Sequence, residues 1–320
     1  MPTVCMAFGI ASEPQTDEPP RPAVIVVVGA PGTDQYASEF AEWAGRWEQA
    51  CAKSGARFTA IGLEDAPNPA DCNDLQQALA REATQTVRPL WLVLIGHGTY
   101  DGRTARFNLR GPDVSAEELA AWLKPIARPV AIINTASSSA PFLNKLSAPG
   151  RVVVTATKSG FEQNYARFGG FLAQAVVDPA ADLDKDGQTS LLEAFLTASH
   201  QTSEFYTAEG RLATEHALLD DNGDALGTPA DWFRGIRPVQ SARDDAELDG
   251  YRAHQLCLLP SQTEAQMPPT LRAERDRLEL EVMRLRDAKE SLPEDEYFSR
   301  LEALLYDIAR IYEQADKGSS

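Results

Sequence analysis

Five short apolar runs constrain this chain more than any other feature. Residues 23–29 (AVIVVVG), 58–62 (FTAIG), 90–95 (LWLVLI), 129–133 (PVAII) and 151–156 (RVVVTA) are each the length of one strand. Several are continuous β-branched or leucine runs without polar alternation, which suits strands buried on both faces. Between them lie segments with helical spacing, over residues 36–54, 74–84, 116–123 and 168–177. In the first of these, Phe40, Trp43, Ala44 and Trp47 fall on one side. Strands alternating with helices predict an α/β domain, a mostly parallel sheet flanked by helices on both faces. Ligand chemistry in such folds sits beyond the carboxyl ends of the strands.

Composition narrows the function classes. The 320 residues are 43% hydrophobic and 24% charged, which excludes a collagen-like, purely coiled-coil or wholly disordered chain. A net charge of −17 excludes nonspecific nucleic-acid binding, because phosphates need a basic footprint, and argues against docking on anionic lipid. No apolar run reaches the ~18 residues of a membrane span. Residues 1–12 read either as the remnant of a trimmed signal peptide or as a disordered start, and residues 13–22 as an acidic, proline-rich linker. The compartment stays open, with periplasmic or secreted placement favoured. Cys5, Cys51, Cys72 and Cys257 show no metal spacing and read as core or surface thiols, a Cys51–Cys72 bridge being the one pairing open.

The organisation expected is a processed or disordered segment over 1–21, an α/β domain over 22–237, a linker over 238–269 and a helical hairpin over 270–316. The first hairpin helix carries Leu271, Leu278, Val282, Leu285 and Leu292 as a stripe. Ser291 and Glu294 around Pro293 resemble a capping box for the second. Its expected apolar face is Phe298, Leu301, Leu304, Leu305, Ile308 and Ile311. Two helices alone have little core, so the stripe must pack on its own domain or serve an oligomer or partner contact.

At the expected strand ends, Gly96-His97-Gly98 follows the third run and Asn134-Thr135-Ala136-Ser137-Ser138-Ser139-Ala140 the fourth. Glycines on both sides of a histidine suggest close backbone approach to a ligand. If the two strands are neighbours, His97 and Ser137 face each other as a base beside a hydroxyl. This pattern resembles the caspase–legumain group of cysteine peptidases, with their caspase–hemoglobinase fold, over roughly residues 22–200. The likeness is to a divergent, bacterial-type member. Gly96-His97-Gly98 matches the group's His-Gly segment, residues 107–113 (FNLRGPD) its next strand and loop, and Ala136-Ser137-Ser138-Ser139-Ala140 its Ala-Cys-x-Ser-Gly segment. The resemblance implies His97 as base, Ser137 at the nucleophile position, and Gly98 with Ser137 as oxyanion donors. Ser137 departs from the group's cysteine, and a hydroxyl needs a better-aligned base than a thiol does. Asp101 and Asp113 are close in sequence, yet neither is an evident partner for His97. The expectation is a catalytically degenerate peptidase fold acting as a binding or scaffold module for a peptide or protein at the sheet rim. Two alternatives stay open: an active hydrolase using His97 with Ser137, and a serine substituted deliberately for a native cysteine.

Residues 182–193 (DLDKDGQTSLLE) carry the most specific motif. Asp182, Asp184 and Asp186 take positions 1, 3 and 5 of an EF-hand loop, Gly187 position 6, Gln188 the carbonyl position 7, Ser190 position 9 and Glu193 position 12. These oxygens are what Ca²⁺ requires. A lone loop of this kind implies a structural rather than a sensing ion. A second acidic run, Asp220-Asp221-Asn222-Gly223-Asp224 with Asp231 twelfth, has Ala225 where glycine is expected; it reads as an acidic turn or as a second cation site. His200, His216 and His254 carry no ligand signal, and Tyr206, Trp232 and Phe233 read as core.

Overall fold

The computed structural model describes residues 21–64, 69–84, 88–243 and 246–318. Residues 1–12 and most of the 13–22 segment lie outside these.

The chain runs β1 (Ala23–Val28), α1 (Asp34–Ser54), β2 (Arg57–Ile61), α2 (Asp71–Glu82), β3 (Leu90–Ile95), then β4 (Gly98–Tyr100), β5 (Ala105–Phe107) and β6 (Val114–Ser115). It continues through α3 (Ala116–Leu123), β7 (Val130–Asn134), α4 (Ala140–Leu146), β8 (Arg151–Thr155), α5 (Phe168–Ala175), α6 (Leu191–Ala208), β9 (Leu218–Asp220) and β10 (Thr228–Pro229). After a two-strand ribbon, β11 (Phe233–Arg234) with β12 (Arg237–Pro238), come α7 (Tyr251–Gln255), α8 (Gln262–Gln266), α9 (Pro269–Asp287) and α10 (Glu294–Gly318).

The main sheet is ordered β10-β9-β8-β7-β3-β1-β2. The five strands expected from the apolar runs are mutually parallel, and β9 and β10 extend one edge of the sheet through antiparallel pairings. The expectation of a mostly parallel sheet flanked by helices is met. Its cause is visible in β1: Val24, Val26 and Val28 face one core while Ala23, Ile25 and Val27 face the other. One core holds α1, α5 and α6 through Phe40, Trp47, Phe168 and Phe195. The other holds α2, α3 and α4 through Leu75, Leu79, Leu119 and Phe142. The strand order reverses between β1 and β3, so the crevice beyond those two carboxyl ends is the topological switch point.

Cys51, Cys72 and Cys257 are free thiols, so the Cys51–Cys72 bridge is not formed. Residues 246–269 pack onto the domain: Leu191 N–H donates to Leu256 O at 2.8 Å and Ser190 bridges Cys257. In the hairpin, Leu278, Val282 and Leu285 are buried as the stripe requires. The Ser291 hydroxyl donates to Ala288 O at 2.7 Å at the end of a short 3₁₀ turn that precedes α10. Four of the six residues expected on the apolar face of α10 lie inward, Ile311 buried and Leu301, Leu304 and Ile308 partly buried. Tyr297, Ile311 and Ala315 are buried, whereas Phe298 and Leu305 are 49% and 47% exposed.

Candidate active site and acidic loop

The rim at the switch point is built by glycines. A Cβ on Gly96 would lie 3.2 Å from Gly29 Cα, so β1 and β3 end in close backbone contact. Gly98 opens β4, and a Cβ there would overlap the Ser137 carbonyl oxygen. Adjacent strands β3 and β7 therefore bring residues 97, 98 and 137 together, as the sequence spacing suggested.

Among the described residues no hydrogen bond joins His97 to Ser137. The half-buried His97 ring packs edge-on against Tyr36 at 4.9 Å and Phe40 at 5.3 Å, with Tyr165 at 6.1 Å. Its Nε2 lies 3.2 Å from Pro31 O. A carbonyl can only accept, so Nε2 must carry the proton in that contact. The buried Ser137 hydroxyl donates to Gly98 O at 3.1 Å and accepts Gly98 N–H at 3.2 Å. One residue thus takes both functions of the hydroxyl. The Gly98 N–H assigned to an oxyanion is occupied by that hydroxyl. Asp101 instead accepts the N–H groups of Arg103 and Thr104, both at 2.8 Å, and these two bonds hold its carboxyl below the usual range. Asp113 accepts Leu109 N–H at 3.0 Å. Both aspartates close local turns.

The serine run after β7 makes a sharp strand-to-helix turn. Ser138 has φ of 54°, and its N–H donates to Glu162 O at 2.8 Å. Ser139 Oγ accepts the N–H groups of Ala156 and Thr157, and Thr157 Oγ1 accepts Ala140 N–H. These bonds tie the turn to the end of β8. Glu162 in turn contacts His216 Nδ1 at 2.5 Å. Exposed Phe161 packs edge-on against the partly buried Tyr100, with centroids 5.2 Å apart, beside residues 158–162.

The acidic loop turns between α5 and α6. Asp182 Oδ1 and Oδ2 accept the N–H groups of Lys185 and Gly187 at 2.7 and 3.1 Å. Lys185 and Gly187 adopt φ of 64° and 88°, which makes the bend and explains the glycine. Carboxylate oxygens of Asp182, Asp184 and Asp186 lie within 4.8 Å of one another. Burial raises Asp186, with the charges of Asp184 and Glu193 adding, against hydrogen bonds from Gln188. Glu193 is 1% exposed and forms a capping box with Ser190. Its Oε1 also accepts the N–H groups of Leu183 and Asp184, at 2.7 and 3.2 Å. This donor set is all hard oxygen and fits Ca²⁺.

His254 is the residue the sequence missed. Its Nε2 lies 3.0 Å from Asp184 Oδ2, and Ser261 N–H donates to Gln188 Oε1 at 3.1 Å. A separation of 70 residues carries no spacing signal. The loop also borders a cavity of about 1340 Å³ under the amino ends of the strands, beside Pro22, Pro89 and Pro129. That cavity is at the end of the sheet opposite to His97. Tyr206 is core, its hydroxyl donating to Glu215 at 3.0 Å.

No protein-family model matches the chain, and no curated protein matches it. Among solved structures it is similar to the Drosophila initiator caspase Dronc, at 14% identity over 62% of this chain and 79% of that one, with TM-score 0.43. It is similar to caspase-1 from Spodoptera frugiperda at 9% identity, over 63% and 86% of the two chains, with TM-score 0.42. It is also similar to a Geobacter sulfurreducens protein at 12% identity, over 70% and 100%, with TM-score 0.41.

Proposed function

We propose that this chain is a catalytically degenerate caspase/legumain-like protein that binds a peptide or protein segment at its sheet rim and holds a structural Ca²⁺ in residues 182–193. The observation that carries the first part is the state of Ser137. Its hydroxyl is closed on the Gly98 backbone while His97 Nε2 faces Pro31 O, and among the described residues no hydrogen bond joins His97 to Ser137. A serine without an aligned base lacks the activation that acyl transfer requires. The exposed Phe161 ring, packed on Tyr100, offers apolar area to an extended ligand. The converging Asp182, Asp184 and Asp186 carboxylates support the ion.

A fluorogenic peptide panel with Ca²⁺ present tests the reading, run on the chain, on Ser137→Ala and on Ser137→Cys. The expected result is no turnover by the chain or by Ser137→Ala. Cleavage by the chain that Ser137→Ala abolishes would overturn degeneracy and make it a serine hydrolase. Cleavage by Ser137→Cys alone supports an intact groove that lacks only its nucleophile.

A further inference from the structure

The helix α10 is apolar on two sides. On one, Tyr297, Ile311 and Ala315 are buried, Leu304 is partly buried, and the helix lies against α9. On the other, Phe298, Leu305 and Tyr312 recur every seven residues and are 49%, 47% and 40% exposed. Leu301 and Ile308, partly buried, stand between the two sides. Phe298, Leu301, Leu305, Ile308 and Tyr312 therefore alternate spacings of three and four, the pattern of a coiled-coil seam. At about 1.5 Å per residue the seam runs for roughly 21 Å. A helix with so wide an apolar face is shaped to lie between two neighbours. Among the described residues α9 is the one element in extensive contact with it.

The charges beside the exposed stripe say what kind of neighbour fits. On a helix surface the neighbours of a residue stand three and four places away. Around Phe298 and Leu305 those places hold Glu294, Asp295 and Glu302, all exposed. Among the described residues none of the three is in an ion pair. No lysine or arginine occupies such a place around Phe298, Leu305 or Tyr312. Arg300, Arg310 and Lys317 each stand five places from a stripe residue, which turns them to the far side of the helix. There Arg300 pairs with Glu296, and Arg310 lies 5.9 Å from the Tyr306 ring centroid. Exposed, unpaired carboxylates along an apolar seam attract a cationic partner and repel an anionic one. A second copy of this chain brings the same acidic border and a net charge of −17, so self-pairing through this face is disfavoured.

We propose that the Phe298–Leu305–Tyr312 face of α10 docks a basic amphipathic helix of another protein, with apolar residues at heptad positions a and d and lysine or arginine alongside. The partner helix would lie along α10, its apolar side chains filling the gaps between Phe298, Leu305 and Tyr312 and its cations meeting Glu294, Asp295 and Glu302. The apolar contact supplies affinity, and the acidic border supplies partner choice. Binding here requires neither the sheet rim nor the 182–193 loop, so this surface stands or falls independently of both.

The test is fluorescence anisotropy of labelled synthetic peptides of about 18 residues, long enough to be helical, titrated with the full chain. One peptide carries leucine at a and d with lysine beside them. A second has the same leucines with glutamate in place of lysine, and a third is the first in scrambled order. Saturable binding of the first peptide alone is expected. Leu305→Asp should weaken it by about tenfold or more with the circular dichroism unchanged, the scale of losing a central apolar anchor. Should Leu305→Asp not fold, Phe298→Ser replaces it, because that ring is half exposed. Asp295→Lys together with Glu302→Lys should turn the preference toward the glutamate peptide, and an unchanged preference overturns the role of the acidic border. Equal binding of the first peptide and either of the others overturns the proposal. So does binding that neither Leu305→Asp nor Phe298→Ser weakens, or no binding at all. A dimer in sedimentation equilibrium that Leu305→Asp dissociates overturns it in favour of a second copy.

Discussion

Glu193→Gln separates the structural from the metal-binding role of the 182–193 loop. In the folded chain Glu193 accepts from Leu183 N–H and Asp184 N–H on one oxygen, and from Ser190 N–H and Ser190 Oγ–H on the other. A glutamine keeps one acceptor and turns an NH₂ group toward the other pair of donors. At about 1.5–3 kcal/mol for each hydrogen bond to a charged group, losing two costs at least ~3 kcal/mol in a 1%-exposed position. At roughly 2–4 °C per kcal/mol for a domain of this size, that lowers Tm by about 6–12 °C in chelator. Ca²⁺ at about 100 times its Kd stabilises the wild type by ~2.7 kcal/mol, or roughly 5–10 °C. The variant lacks one carboxylate oxygen of the ligand set and shows a much smaller rise. The assay is thermal melting of both proteins in chelator and in excess Ca²⁺. Equal Tm values for the wild type in the two buffers would refute the calcium reading. A full Ca²⁺ shift in the variant would refute the role of Glu193.

Three other perturbations follow from the geometry. Trp47→Ala removes a ring that is 1% exposed and 6.2 Å from Trp91 between α1 and the sheet, and should cost about 3–5 kcal/mol by urea denaturation. Gly98→Ala places a methyl against the Ser137 carbonyl, costing roughly 1–3 kcal/mol, and should weaken any peptide bound at the rim; unchanged stability would mean the close approach is absent. Glu215 accepts from Arg167 N–H, Phe168 N–H and Tyr206, yet burial raises its carboxyl above the ordinary range. Its folded form therefore holds a proton that the unfolded chain releases at lower pH, so its contribution to stability falls as pH rises from the ordinary glutamate value toward the raised one. Urea midpoints measured across that interval should decline for the wild type and less so for Glu215→Gln.

The layers were legible in the amino-acid sequence. The β-branched runs and the Phe40–Trp47 spacing specify buried strands and a packed helix, because solvent exposure repeats with a period set by the backbone. It also determined where chemistry could sit. Gly96-His97-Gly98, the serine turn and the acidic loop are local patterns, and each occupies the strand end or helix start it implied. Only the tertiary structure decided what those groups touch. The contacts of His97 with Pro31, Ser137 with Gly98 and His254 with Asp184 span 66, 39 and 70 residues, and no periodicity reports on them. The inward face of α10 was settled in the same way: the helix lies against α9, Tyr297 and Ile311 are buried, and Phe298 is left outside. A hydroxyl's donor and acceptor directions depend on atoms from other strands, so the contacts of His97 and of Ser137 exist only once the sheet has assembled.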